Sequence, residues 1–449
     1  MPTLLQDVAT RADAYLQELK QRKVAPDPAA VAALDALDGA LPDGSCDPAE
    51  VIELLDRYAS PATMATAGPR FFGFVIGGAL PVALAANWLA TAWDQNTGLY
   101  NITPATARLE QTALRWLLDL LDLPRSCGGA FVTGATVANF VALAAARHAV
   151  LARAGWNVEA DGLFGAPPIT VVVSEEAHPT LIKSLGLLGL GRTRVLHVPA
   201  DGQGRMRVDA LPKLTVPTII CTQVGNVNTG ACDPVAAVRE RVGADAWLHV
   251  DGAFGLWARV APTRSALVQG IEAADSWATD AHKWLNVPYD GGLAFVRDAD
   301  ALRAAMAITA EYLPTTSPWR NPSDYTPELS RRARGVDVWA TLRSLGRSGV
   351  EEMIERNCRQ ARRFAEALAA GGFEVLNEVV LNQVLVSFGD AVRTQRVIAA
   401  LQAEGTCWCG GTVWQGRTAM RISVCSWATT DADVEVSIAA MLRVAAATR

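Results

Sequence analysis

Lysine is scarce in this chain. Of 40 basic residues, five are lysine: Lys20, Lys23, Lys183, Lys213 and Lys283. Any chemistry that needs an amine therefore has five candidates. Positive charge is not in excess either: the formal net charge is −6, which excludes the clustered basic surface of a nucleic-acid binder. The glycine patterns of a Walker loop and of a dinucleotide fingerprint are both missing. The eight cysteines include a CxC pair, Cys407 and Cys409, but no second Cys/His pair at zinc spacing follows, so no metal site is expected. The opening MPTLLQDVATRADAY has no basic start, apolar core or small-residue cleavage site, which makes a reducing, cytoplasmic setting with free thiols the expectation.

Charge is also absent from residues 71–93, FFGFVIGGALPVALAANWLATAW, a run long enough to span a bilayer. Gly73, Gly77, Gly78 and Pro81 interrupt its first half, and no basic flank or second span follows. A buried segment or a subunit contact is the expectation, not a membrane.

What is present is apolar bulk. Half of the 449 residues are hydrophobic, more than one core usually holds, so a large domain with at least one smaller companion is expected. Residues 1–66 read as helices broken by VAPDP and LPDGSCDP, an arm too poor in apolar surface to stand alone. Residues 67–345 alternate helical stretches with short β-rich runs: GAFVT, ITVVVSEEA, RVLHVPA, TIICTQ, AWLHVDGA, SWATDAH and GLAFVRD. Their continuous apolar character predicts an α/β domain around a mainly parallel seven-stranded sheet covered on both faces. Residues 346–449 read as a small α+β C-terminal domain, beginning with the helix EEMIERNCRQARRFAEALAAG. In such sheets ligands bind beyond the carboxyl ends of the strands, and several polar residues fall there.

Those residues match the needs of pyridoxal phosphate (PLP): an amine for the aldehyde, an anion site for the phosphate, a carboxylate for the pyridine nitrogen and a cover for the ring. Lys283 follows DSWAT and sits among Trp277, Trp284 and Leu285, which predicts a partly desolvated amine; the other four lysines have charged or polar settings. Asp251 closes the strand AWLHVD and either pairs with the pyridine nitrogen or caps the following turn. His178, after ITVVVSEEA, either stacks on the ring or is structural, whereas His148, His197 and His249 read as structural. His282 either touches the cofactor or packs. Thr133, Gly134, Ala135 and Thr136 lie between a strand and a helix, where backbone N–H groups and a hydroxyl can meet a phosphate. Asn139, one turn further, either supports that loop or is an ordinary helix polar residue.

Taken together, HVDGAFG (249–255), DAHKWL (280–285), VTGATVANFVALAAAR (132–147) and EEAHPTLIKS (175–184) resemble the group II PLP-dependent amino-acid decarboxylases, with aromatic-L-amino-acid decarboxylase among them. PRFFGF (69–74) and MRISVCSW (420–427) extend the likeness toward both ends. The resemblance implies fold type I, the aspartate-aminotransferase-like architecture, and a homodimer with each active site at the subunit boundary. It also implies roles by position: Lys283 as the Schiff-base lysine, Asp251 at the pyridine nitrogen and His178 over the ring. Ala135, Thr136, Ala253 and His282 would lie about the cofactor, and Asn226 stands where the family often has a threonine near it. Phe74 matches a position that is aromatic in aromatic decarboxylases and polar in glutamate decarboxylases. With Phe72 it implies an aromatic or apolar substrate, and Trp93 and Tyr100 are further candidates for the same pocket. Arg421 matches an arginine that meets a carboxylate, or else forms a salt bridge. Residues 311–335, polar and rich in proline, read as a lid in which Tyr325 matches the family's proton-donating tyrosine. The implied reaction is decarboxylation of an L-amino acid to its amine. The rivals are another reaction on the same scaffold (oxidative aldehyde formation, transamination or carbon–carbon lysis) and a binding protein without catalysis.

Overall fold

The computed structural model describes residues 3–214, 217–308 and 319–448. The chain divides into two compact units, one of Ala79–Arg359 with Asn377–Gln383, the other of Met1–Gly78, Gln360–Leu376 and Val384–Arg449. The arm expected over 1–66 and most of the expected C-terminal portion thus fall in one unit. A boundary at 345/346 follows the punctuation of Gly346, whose φ of 61° and ψ of −175° kink the chain. Two helical stretches within Gly335–Ala370 meet at that kink.

The larger unit holds the sheet foreseen from the apolar runs. Its strands are β1 (Gly128–Val132), β2 (Thr170–Ser174), β3 (Leu196–Val198), β4 (Thr218–Gln223), β5 (Trp247–Asp251), β6 (Ser276–Asp280) and β7 (Gly292–Val296). They lie in the order β1-β7-β6-β5-β4-β2-β3. Only β7 runs against the rest, antiparallel to both β1 and β6, so the carboxyl ends of the other six share one edge. Strands β1, β4, β5, β6 and β7 are buried along their whole length, as strands covered on both faces must be. β3, at an edge of the sheet, is exposed at two of its three residues.

The helix Ala135–Arg153 lies across this sheet. Its run of alanines (Ala138, Ala142, Ala144, Ala145, Ala146) is buried, and such short side chains let its backbone sit close to the strands. Among the described residues it is the one helix long and apolar enough to cross a membrane, and most of it is buried within the fold. The uncharged run 71–93 is not a continuous span: only Pro81–Trp93 of it is helical.

The smaller unit contains the helix Leu4–Glu18 and a four-stranded sheet of β8 (Glu374–Val375), β9 (Gln383–Ser387, whose first residue belongs to the larger unit), β10 (Gly410–Trp414) and β11 (Arg417–Ser423). Their order is β10-β11-β9-β8. β11 lies on the strand-like run TAMRISVC, whereas its hairpin partner β10, GGTVW, was not among the expected strands. The hairpin's turn, Gln415–Gly416, has φ of 47° and 78°, the left-handed pair that a tight two-residue hairpin requires.

Candidate active site

Strand register assembles the site. Val132 at the end of β1 and Asp280 at the end of β6 both pair with Gly292 at the start of β7. The next residues, Thr133 and Gly134, lead directly into the helix beginning at Ala135. A side chain at Gly292 is impossible without rearrangement, since a Cβ there would lie 2.4 Å from the Cα of Gly134. This glycine contact holds the helix start against the strand ends.

Lys283 stands just beyond β6. Its side chain retains 21% of its exposure, whereas Lys20, Lys23, Lys183 and Lys213 are all exposed. The following Trp284 is fully buried, with its indole N–H donating to Asn357 Oδ1 at 3.0 Å, and this anchors the backbone that carries the lysine. The amine pairs with Asp280 Oδ2 at 3.0 Å.

Asp280 is the residue the motif reading passed over. It is 2% exposed, its Oδ1 accepts from the Ala135 N–H at 2.5 Å, and the same oxygen lies 3.5 Å from His282 Nε2. One carboxylate thereby ties the lysine, the histidine beside it and the start of the helix. The available signal was an acid at the end of an apolar strand, the feature that identified Asp251. His282 is further held by the Gly291 N–H, which donates to its Nδ1 at 3.1 Å, and by the ring of Tyr289, stacked at 4.4 Å. Burial pushes the His282 imidazole below its ordinary pKa.

Asp251 ends β5 and is 2% exposed. Burial pushes its carboxyl above the usual range, while the charges of His178 and Lys283, the Asn139 amide and the Ala253 N–H all pull it back. Asn139 Nδ2 donates to Asp251 Oδ2 at 3.1 Å, and the Ala253 N–H lies 3.3 Å from Oδ1. His178 caps the helix Pro179–Leu187: the Thr180 N–H donates to its Nδ1 at 3.3 Å, with the Thr180 hydroxyl at 2.7 Å. The structural reading of His178 is thus met by its cap, and the cap fixes a ring whose charge reaches Asp251.

At the helix start, Gly134 makes no side-chain cap, and the Thr136 hydroxyl has no hydrogen-bond partner among the described residues. A helix N-terminus with spare donors, an amine and a buried carboxylate fit PLP at its phosphate, aldehyde and ring-nitrogen ends. Asn226 is engaged otherwise. Its Oδ1 accepts from the N–H groups of Asn228 (2.8 Å) and Thr229 (3.2 Å), which shapes the loop after β4.

Other expected residues lie elsewhere in the chain's two units. Phe72, Phe74 and Arg421 belong to the smaller unit. There Phe72 is buried edge-on to Phe364 at 5.1 Å, and Phe74 is 62% exposed and stacked on Trp408 at 5.7 Å. Arg421 lies on β11, and burial lowers its guanidinium pKa. Within the larger unit Trp93 is 43% exposed, and Tyr100 packs against Trp319 at 5.7 Å. Of the expected lid, residues 311–318 lie outside the described residues. The remainder is anchored: buried Arg331 binds Glu110 Oε2 at 2.7 Å and the carbonyls of Thr97 and Phe131. Tyr325 sits in a short 3-10 helix, Pro322–Tyr325, with the Arg320 guanidinium 3.9 Å over its ring. Among the described residues it makes no hydrogen bond or ring contact to Lys283, Asp251 or His178.

Comparison with known proteins agrees with this geometry. A family profile described as "Pyridoxal-dependent decarboxylase conserved domain" matches residues 33–389. Tryptophan decarboxylase 1 of Oryza sativa subsp. japonica is 29% identical over 400 residues, covering 80% of this chain and 76% of that protein. Phenylacetaldehyde synthase of Arabidopsis thaliana is 25% identical over 418 residues, covering 86% and 84%. The crystal structure of Oryza sativa TDC with PLP and tryptamine superposes with a TM-score of 0.91 at 24% identity, over 100% of this chain and 99% of that one, and so shares the fold. With a profile match over most of its length and a strand-end site that suits the cofactor, this chain belongs to the pyridoxal-dependent decarboxylase family, as a PLP-dependent amino-acid decarboxylase of fold type I.

Proposed function

We propose that the chain decarboxylates an L-amino acid with an aromatic or apolar side chain, releasing the amine and carbon dioxide, as a cytoplasmic homodimer. The observation that carries the site assignment is Lys283, the single half-buried lysine, paired with Asp280 and sharing its field with Asp251. In this reading Lys283 holds the cofactor aldehyde, and Ala135 and Thr136 hold the phosphate with His282 beside them. Asp251, with Ala253 behind it, keeps a proton on the ring nitrogen, and His178 covers one ring face. Asn226 acts at one remove, by shaping its loop. PLP bound there supplies a conjugated ring that takes up the electron pair of the breaking Cα–carboxylate bond.

Of the two candidates for returning a proton to Cα, His178 shares the site with Asp251. Because Nδ1 accepts from the Thr180 N–H, the proton of a neutral His178 ring resides on Nε2. Tyr325 is the other candidate, and its packing under Arg320 leaves it without a contact in the group. A relative named phenylacetaldehyde synthase favours one second reading, oxidative aldehyde formation. The substrate class rests on Phe72 and Phe74 by position and on the relative named tryptophan decarboxylase, with Arg421 as the proposed contact for a substrate carboxylate. The cytoplasmic setting is supported by eight free cysteines, seven of them buried.

The test is a panel of aromatic, aliphatic, acidic and basic amino acids given to the purified holoenzyme, with carbon dioxide, amine, aldehyde and oxygen uptake measured. Equal carbon dioxide and amine, fastest from aromatic substrates, is the expected result. Aldehyde with oxygen uptake would establish the second reading, and fastest turnover of acidic substrates would overturn the substrate class. Lys283→Ala should lose both turnover and the visible absorbance of the bound cofactor; a variant that keeps both refutes the lysine assignment.

A further inference from the structure

Behind Asp251 runs a chain of buried polar side chains, among them His249, which the sequence suggested was structural. Strand alternation places Trp247, His249 and Asp251 on one face of β5. Ser276 on β6 is the register partner of His249. Asn139 enters from the helix covering that face, one turn after its start at Ala135. Trp247 Nε1 donates to Ser276 Oγ at 2.9 Å. Ser276 Oγ lies 2.9 Å from His249 Nδ1, and His249 Nε2 lies 2.8 Å from Asn139 Oδ1. The Asn139 amide then donates to Asp251 Oδ2 at 3.1 Å. None of the five is more than 2% exposed.

The chain has a direction. An indole N–H can only donate, so Ser276 Oγ accepts from Trp247 and spends its own proton on His249 Nδ1. His249 must then carry its proton on Nε2, so Asn139 presents Oδ1 to the histidine and its NH2 to Asp251. Every donor and acceptor is satisfied when Asp251 is the unprotonated acceptor at the end.

The reversed arrangement runs from a protonated Asp251 through Asn139 to His249 and delivers a histidine proton to Ser276. That oxygen would then receive two donors, from His249 and Trp247, and its own hydrogen would have no acceptor in the chain. A buried hydroxyl left unpaired in this way disfavours the reversed arrangement. Burial alone drives Asp251 the other way, toward protonation. Burial also holds His249 neutral, its pKa pushed down to about 3, so the histidine passes direction along the chain without adding charge.

We propose that Trp247, Ser276, His249 and Asn139 form a directional hydrogen-bond relay that keeps Asp251 an anionic acceptor and so keeps the proton on the cofactor's ring nitrogen. The proposal rests on the assignment of Asp251 to that nitrogen. All four are positioning residues; none needs to touch substrate. Trp247 is the lock, since it disfavours the reversed chain from four links away. Asn139 also couples the two ends of the cofactor site, being one turn from the phosphate-binding start of its helix and bonded to Asp251.

The test uses protein reconstituted with PLP carrying nitrogen-15 in the ring, whose resonance separates pyridinium from neutral pyridine. The variants are Trp247→Phe, Ser276→Ala and Asn139→Leu, with Asp251→Ala as the reference, and melting temperature is recorded for each. The expected result is a resonance displaced toward neutral pyridine in all three, most in Asn139→Leu and least in Trp247→Phe. A melting temperature that falls while the resonance stays at the wild-type position would overturn the relay and leave a structural role. If Asn139→Leu does not fold, Trp247→Phe and Ser276→Ala decide, because each removes one donor with little change of volume. If Asp251→Ala moves the resonance and the relay variants do not, the relay fails and the Asp251 assignment stands. If Asp251→Ala leaves it unmoved, both fail.

Discussion

A neutral histidine sealed inside the sheet makes a prediction of its own about pH. His249 has its pKa pushed from the ordinary 6.5 down to about 3 by burial. Between those values the unfolded chain binds a proton that the folded chain refuses, so stability rises with pH across the window. It is complete above about 6.5 and is lost progressively as pH falls toward 3. Asp233, pushed up to about 7 by burial, works in the opposite sense, because its folded form holds a proton that the unfolded form has released. Comparison with a variant therefore isolates the histidine. Urea unfolding of the wild type should lose roughly 2 kcal/mol more than His249→Gln between about pH 6.5 and pH 5. Equal losses would show that the ring is not held neutral. At this scale the sequence was legible where chemistry is rare and neighbours are diagnostic: one lysine among tryptophans, one aspartate closing a strand. Asn139 and His249 were not legible, because a polar residue inside an apolar run declares burial but not its partner. Their partners lie 110 and 112 residues away.

At the scale of elements, the junction of β1, β7 and the Ala135–Arg153 helix decides whether the proposed phosphate end of the site exists. Gly292→Ala would place a methyl group 2.4 Å from the Cα of Gly134, which forces the helix start away from the strand ends. The expected cost is about 1–3 kcal/mol of folding stability, accompanied by weaker PLP binding in an absorbance titration. Lost stability with cofactor affinity unchanged would mean that the helix start does not hold the phosphate. The seven strands of the large sheet were readable because fully buried strands are continuous apolar runs bounded by turn residues. In the smaller sheet β10 was not, because glycine and exposed positions interrupt its pattern: Gly411 and Val413 are exposed while Trp414 is buried.

At the scale of the whole molecule, apolar surface remains exposed on both units. In the larger unit the helix Pro81–Trp93 leaves Trp88 at 41%, Leu89 at 55% and Trp93 at 43%, and the smaller unit leaves Leu5 at 75% and Leu55 at 50%. Surface of this kind supports the proposed homodimer. Sedimentation of the wild type at micromolar concentration should give twice the 47.7 kDa chain mass, and Leu89→Asp should shift the species toward one chain mass. A wild type that sediments as a single chain would remove the subunit-boundary site from the proposal.

The sequence by itself determined the sheet and the cofactor class and singled out the proposed lysine, because each depends on local signals: apolar period, turn residues and the neighbours of a scarce amine. Only the tertiary structure decided which groups surround that lysine. Asp280 meets the Ala135 N–H, and Asn139 meets both His249 and Asp251, because separate strand ends and one helix start converge on a single edge. The direction of the hydrogen bonds behind Asp251 is likewise a property of that convergence, since it is set by a tryptophan whose only relevant partner is on the neighbouring strand.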